Sequence, residues 1–279
     1  GNVSLTTLGG GDVRLGSVVA PNTVTVDSSG QVYSTTGDLN IEAATVDIDA
    51  ETNVIDVMIR QSGNNDDALV ADGVTIDTVN GTIDGVSITA EDAVTLNANR
   101  GLGGSGSDGM ITETMVTTTG TAGNIIANAD YGFHGGFLSA QAATVLARAY
   151  AGNVVELNTS AYGLDKVIAF DGSIISGSAT STAGSVTLLA YSTEPAGAIT
   201  RGNILNTVVH SFDDAILLAE GEIIGTVANI DDQDIFLIAP TVSGGEYVTT
   251  GNVVIKSYSD ITGEGDVVGI SVDAGGSVF

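Results

Sequence analysis

Cysteine is absent from the 279 residues, which excludes disulfides, thiolate chemistry and cysteine-based metal sites. Tryptophan is absent too, and aromatic residues make up only 5%. Hydrophobic residues reach 43%, so a core can form, but it must be assembled from Val, Ile, Leu and Ala. Stacked aliphatic ladders suit such branched side chains. Positive charge is scarce: 7 Lys and Arg stand against 34 Asp and Glu, a formal charge of −27. That field repels phosphate backbones and anionic lipid heads, so neither nucleic acid nor direct membrane insertion is expected. It favours divalent cations instead. No apolar run approaches the roughly 18 residues of a membrane-spanning helix, and no signal peptide is recognised. The chain opens at Gly1, already inside a Gly-Asn-Val unit, and reads as a segment of, or a product processed from, a longer polypeptide.

Glycine is abundant, with 38 residues against 3 prolines, and serves as punctuation without a collagen-like triplet. A Gly-Asn-apolar opening recurs at Gly1-Asn2-Val3, Gly123-Asn124-Ile125, Gly152-Asn153-Val154, Gly202-Asn203-Ile204 and Gly251-Asn252-Val253. Gly11-Asp12-Val13, Gly184-Ser185-Val186 and Gly265-Asp266-Val267 are variants of it. Gly and Asn suit corners, and each apolar run that follows has strand length. Strand starts near 54, 74, 92 and 110, and again near 214, 234 and 252, are spaced by roughly 18–20 residues, a solenoid period. Within the runs, polar and apolar residues alternate: Leu39, Ile41 and Ala43 on one face, then Val46, Ile48 and Ala50 inward with Asp47, Asp49 and Glu51 outward.

A flat sheet of so many strands leaves two edges and one apolar face open, whereas strict local repetition favours stacking each unit on its neighbour. The expected fold is all-β: a single right-handed parallel β-helix (β-solenoid) over residues 1–279, of roughly 11–15 rungs, with little or no helix. The Ala-rich stretch Ser139–Tyr150 also has helix-forming ends, but the alternation of Val145, Ala147 and Ala149 places it with the strands. No linker divides the chain. Gly101–Gly109 reads as a loop leaving the stack.

The recurrent openings, the Gly-x-Ile second strands at Gly81-Thr82-Ile83, Gly172-Ser173-Ile174 and Gly221-Glu222-Ile223, and the Thr/Val/Ala/Gly bias resemble filamentous-haemagglutinin-type repeats of large exported bacterial adhesins. The resemblance covers nearly the whole length, although that family's amino-terminal secretion module is not evident. It implies export, a bacterial cell-surface or extracellular location, an extended adhesive rod, and contact with glycans or other cells.

Chemistry-bearing residues are few. Gly103-Gly104-Ser105-Gly106-Ser107-Asp108-Gly109-Met110 matches one copy of a calcium-binding nonapeptide. Two successive copies are needed to share an ion, so a loop is the preferred reading. Asp213 and Asp214, in His210-Ser211-Phe212-Asp213-Asp214, are the catalytic candidates, since paired carboxylates can serve as acid and base. Pectin hydrolases on β-helices carry such a pair, but their companion Asn-Thr-Asp, Gly-His-Gly and Arg-Ile-Lys motifs are missing, and a polar corner is preferred. Asp231, Asp232 and Asp234, and the run Asn64-Asn65-Asp66-Asp67, are acidic turns that can offer Ca²⁺ oxygen ligands. Ca²⁺ is the one cofactor the sequence suggests. His134 has no neighbouring Cys or His for a zinc site. Asn2, Asn80 and Asn158 begin glycosylation sequons. Both ends lack a cap, so the terminal rungs around Val3 and Leu5, and around Val268, Ile270 and Val272, are expected to pair with another copy end to end.

Overall fold

A computed structural model describes residues 1–62, 73–99, 109–192, 202–257 and 265–279. The described residues contain strands and no helix, and the strands build a parallel β-solenoid of about 11 coils. Two compact units divide the chain, Gly1–Thr144 and Val145–Phe279. Within each, a coil places one strand in each of three parallel sheets before the next coil begins.

In the first unit the first sheet runs Val3–Thr6, Thr23–Ser28, Thr45–Ala50, Gly73–Thr78, Ala93–Ala98 and Ile125–Ala129. Its inward side chains stack in register: Val24, Val46, Val74, Val94 and Ile125 form one column, and Val26, Ile48, Ile76, Leu96 and Ala127 the next. All ten are buried. Three sheets facing one another leave a narrow interior, which is why branched aliphatics and Ala fill it and why large buried rings are confined to positions such as Phe133 and Tyr247. In the second unit the first sheet runs Val145–Ala149, Asp165–Ala169, Val186–Ala190, Ala215–Ala219, Ile235–Ala239 and Val253–Ser257. The Ala-rich stretch is therefore a strand there, with Val145, Ala147 and Ala149 buried.

Two details differ from the sequence reading. The strand starts near 54 and 110 belong to the second sheet and those near 74 and 92 to the first, so their even spacing mixes two sheets: within the second sheet Val54 pairs with Ile83 and Ile83 with Ile111, coils longer than the expected period. Leu39 lies outside the strand, which is Ile41–Ala43, and Asn40 is the buried residue. Its Nδ2 donates to the Gly16 carbonyl (3.0 Å) and to Ser34 Oγ (2.9 Å), and its Oδ1 accepts the Met58 N–H (2.9 Å). A fully hydrogen-bonded amide can replace an aliphatic residue at little cost.

The turn from second to third sheet is equally regular. Asp56, Glu113, Glu156, Ser176 and Asn206 occupy it with φ between 46° and 55°, in the left-handed region that side-chain-bearing residues seldom adopt. Gly85 and Gly225 take the same place in other coils. Backbone bonding continues through the turn: Asp56 N–H reaches the Asp84 carbonyl (2.9 Å) and Ser176 N–H the Leu205 carbonyl (2.9 Å). Ladder bonds on both sides over-determine the strained residue.

Candidate functional site

The Gly-Asn-apolar opening is a joint between coils. Asn153 Oδ1 accepts the Ser173 N–H (2.8 Å) and Asn203 Oδ1 the Glu222 N–H (2.7 Å), each one coil later at the head of the second sheet, and Asn53, which follows Thr52 rather than a glycine, accepts the Thr82 N–H (2.9 Å) in the same way. The same bond occurs at the head of the first sheet, where Asn124 Oδ1 accepts the Thr144 N–H (3.2 Å). The glycine of Gly251-Asn252 lets the chain pass close to the preceding coil, since a Cβ there would overlap the Gln233 carbonyl, and Gly172 of the Gly-x-Ile pattern does the same against the Gly152 carbonyl.

This joint absorbs part of the candidate chemistry. Asp214 Oδ1 accepts the Asp234 N–H (3.1 Å), Asp234 Oδ1 accepts the Asn252 N–H (2.6 Å) and its Nδ2 (3.0 Å), and Asn252 Oδ1 accepts the Ser277 N–H (3.0 Å). Asp213 sits beside Asp214 at the third-to-first corner, its N–H on the Gly184 carbonyl (3.0 Å). Asp231 and Asp232 lie at the same corner one coil on, both exposed. His210 Nε2 stands 3.6 Å from Asp231 Oδ2, a solvent-facing pair of small energetic weight. Among the described residues no group of three His, Asp or Glu side chains converges as a metal site. Asp108 and the run 64–67 lie outside the described residues. Because Asp234 serves as an acceptor, Asp234→Ala should cost about 1–2 kcal/mol in urea unfolding, whereas Asp234→Asn should stay within about 0.5 kcal/mol of the parent. Equal losses for both variants would show that charge, not the acceptor, matters.

Of the terminal residues, Val3, Leu5, Ile270 and Val272 are half-buried and Val268 is exposed. Val3 and Leu5 pair with the buried Val24 and Val26, and Val272 pairs with the buried Tyr247. Val267, paired with the buried Val242, holds the inward register that Val268 does not. Val278 adds a further parallel bridge onto Val253.

Sequence reading missed the outer face of the first sheet, which differs in chemistry between the units. In the first unit one outward column is Thr6, Asp27, Asp49, Asp77, Asn97 and Asn128. Asn128 Nδ2 donates to Asn97 Oδ1 (2.8 Å) and Asn97 Nδ2 to Asp77 Oδ1 (2.6 Å). In the second unit the corresponding columns are largely apolar. One holds Ile168, which is buried, and the half-buried Leu189, Leu218 and Ile238 between Arg148 and Lys256, and its neighbour holds Ile216, Phe236 and Val254 below Lys166 and Thr187. Tyr150, Phe170 and Tyr191 follow the first three strands as a ring ladder, with centroids 5.4 and 6.3 Å apart and interplanar angles of 7° and 21°. The runs Val-Thr-Leu-Leu-Ala, Ala-Ile-Leu-Leu-Ala and Ile-Phe-Leu-Ile-Ala carried this signal, since strands apolar on both faces read as continuous hydrophobic segments.

Set against family models, curated proteins and solved structures, the chain matches none of them. The solenoid agrees with a β-helix repeat region, and the filamentous-haemagglutinin likeness rests on the sequence motifs alone.

One further group lies inside. Asp165 heads its strand at an inward position between Val145 and Val186 and is fully buried. Its Oδ2 accepts from Thr159 Oγ1 (2.7 Å) and the Thr180 N–H (3.0 Å), while Oδ1 has no partner among the described residues. Burial pushes its pKa up to about 7, against the smaller opposing effect of the two hydrogen bonds.

Proposed function

We propose that the protein is an extracellular structural and adhesive solenoid of a bacterial surface, presenting faces to partners rather than turning over a substrate. The observation that carries this reading is the coil joint: the bond from the Asp234 N–H to Asp214 Oδ1 is repeated from the Asn252 N–H to Asp234 and from the Ser277 N–H to Asn252, so the stacking of coils by itself accounts for an acidic residue at Asp214. The ring ladder points away from sugar stacking within its own span, because Tyr150, Phe170 and Tyr191 cover each other's faces. The outermost coils support self-assembly. A parallel strand edge accepts a further strand in register, and the inward valines there are half-exposed. Electron microscopy of the purified protein, with and without Ca²⁺ chelator, is expected to show end-to-end filaments that salt or Ca²⁺ favours. Dispersed single particles under every condition would remove the filament.

A second reading, a polysaccharide-active β-helix enzyme, is favoured by the placement of His210 and Asp231 one corner from Asp213. Turnover on a polysaccharide panel that disappears in Asp213→Asn/Asp214→Asn would establish it in place of the scaffold.

A further inference from the structure

Asn80-Gly81 is the one Asn-Gly pair in the chain. It lies at the corner between the first-sheet strand Gly73–Thr78 and the second-sheet strand that opens at Ile83. Asn80 is exposed, and Gly81 is buried against the Thr52 carbonyl of the coil below. Most of this corner is tied down. The Asn80 N–H donates to the Glu51 carbonyl (2.9 Å), Thr78 Oγ1 to the Gly81 carbonyl (2.8 Å) and the Thr82 N–H to Asn53 Oδ1 (2.9 Å). The Gly81 N–H is the exception, with no acceptor among the described residues. The glycines of the other two Gly-x-Ile corners each have one: the Gly172 N–H bonds the Tyr191 carbonyl (3.2 Å) and the Gly221 N–H the Gly202 carbonyl (2.9 Å). The Asn80 side chain is held by a solvent-facing bond from Nδ2 to Glu51 Oε1 (2.9 Å).

We propose that Asn80 is a site of spontaneous covalent modification, deamidation through a cyclic imide, which loosens this corner as the protein ages. The reacting groups are neighbours in the chain, so the step is intramolecular and needs only water. The Gly81 N–H gives its proton to hydroxide, and the nitrogen attacks Asn80 Cγ. The Cγ–Nδ2 bond breaks, and Nδ2 leaves as ammonia with a proton from water, which restores the hydroxide. The five-membered imide then adds one water. Opening at Cγ gives aspartate. Opening at the main-chain carbonyl gives isoaspartate, whose backbone runs through Cβ. Glycine favours the closure because no side chain shields its nitrogen. The exposed Asn2 and Asn158 are followed instead by Val3 and Thr159, whose branched side chains crowd the attacking nitrogen. Both products disturb the corner. Aspartate sets a carboxylate against Glu51 where an amide donor stood, and like charges repel. Isoaspartate adds a backbone carbon next to Gly81, which already lies against the Thr52 carbonyl, and displaces the carbonyl that Thr78 Oγ1 bonds.

Warm incubation of the folded protein near pH 7 and near pH 9, followed by proteolysis and mass spectrometry, tests the proposal. The peptide that contains Asn80 is expected to gain the mass of an amide-to-acid conversion and to separate into two chromatographic forms, aspartate and isoaspartate. The gain should be faster near pH 9, where hydroxide is more abundant, while the peptides with Asn2 and Asn158 keep their mass. Asn80→Gln retains the amide but must close a six-membered ring, which is much slower. Its urea midpoint is expected to survive an incubation that lowers the midpoint of the parent. The mass measurement on the parent stands whether or not that variant folds. An Asn80 peptide that keeps its mass near pH 9, one that changes no faster than the Asn2 and Asn158 peptides, or equal loss of midpoint in parent and variant would overturn the proposal.

Discussion

Asp165→Asn is expected to make the protein more stable above pH 7 and to remove part of its pH dependence. The carboxyl has an ordinary value of 3.8 and is raised to about 7 in the folded chain. Below pH 3.8 both states hold the proton and the group contributes no slope. Between 3.8 and 7 the folded state keeps a proton that the unfolded state has released, so stability falls by up to about 1.4 kcal/mol per pH unit. Above 7 both states are ionised and the whole penalty applies, on the order of 4 kcal/mol. Asparagine keeps an acceptor for Thr159 and the Thr180 N–H and cannot ionise. Urea unfolding of both proteins from pH 4 to 8 should give curves that meet at the acid end and separate steadily towards neutrality. The other acidic residues titrate in both proteins and cancel in the difference. Parallel curves would mean that Asp165 is solvated or paired when ionised.

The second large effect separates two glycines. A Cβ on Gly81 would overlap the Thr52 carbonyl and crowd Asn53 Oδ1, both fixed by the coil below. Gly16 has no atom within 4 Å of the same added carbon and needs no left-handed backbone. Gly81→Ala should therefore cost about 3 kcal/mol or more, since neither backbone can retreat without breaking the joint between Asn53 and Thr82. Gly16→Ala should be neutral or stabilise by up to about 1 kcal/mol, because it only restricts the unfolded chain. Urea midpoints of the two variants decide the matter. Similar midpoints would show that the corner at Gly81 can move apart to admit a methyl group.

The fold was legible because its letters have local causes. Gly81, Gly172 and Gly221 each precede a second-sheet strand, as their Gly-x-Ile pattern suggested. Asn124 and Asn153 open different sheets with the same motif because both lend an oxygen to the coil that follows. That shared role also hid the phase, since one spelling marks two of the three corners. The third corner had no dependable spelling: Glu113, Glu156 and Ser176 sit in left-handed conformations that only their ladder bonds enforce. Asp165 was hidden for a related reason. An aspartate at the head of a strand reads as a corner residue, and only the stacking of Val145 and Val186 against it reveals an inward position. The apolar outer face was written in its runs, where strands apolar on both sides lose the alternation that marks the inward positions.

The pairing pattern also bears on how the chain reaches this state. Parallel sheets ordinarily form slowly, because their partners lie far apart in sequence and a long loop must close first. Here Val3 pairs with Val24, Ile83 with Ile111 and Ile235 with Val253, separations of roughly 20–30 residues, a small fraction of the chain and closer to the contact order of helical bundles than of β-sandwiches. Each finished coil also holds acceptors, such as Asn153 Oδ1 and Asp214 Oδ1, ready for the N–H groups of the coil that follows. Order can therefore spread from coil to coil, as in other repeat proteins. A chain delivered amino-terminus first can consolidate its early coils before its later ones exist, leaving little unpaired strand exposed to aggregation at any moment.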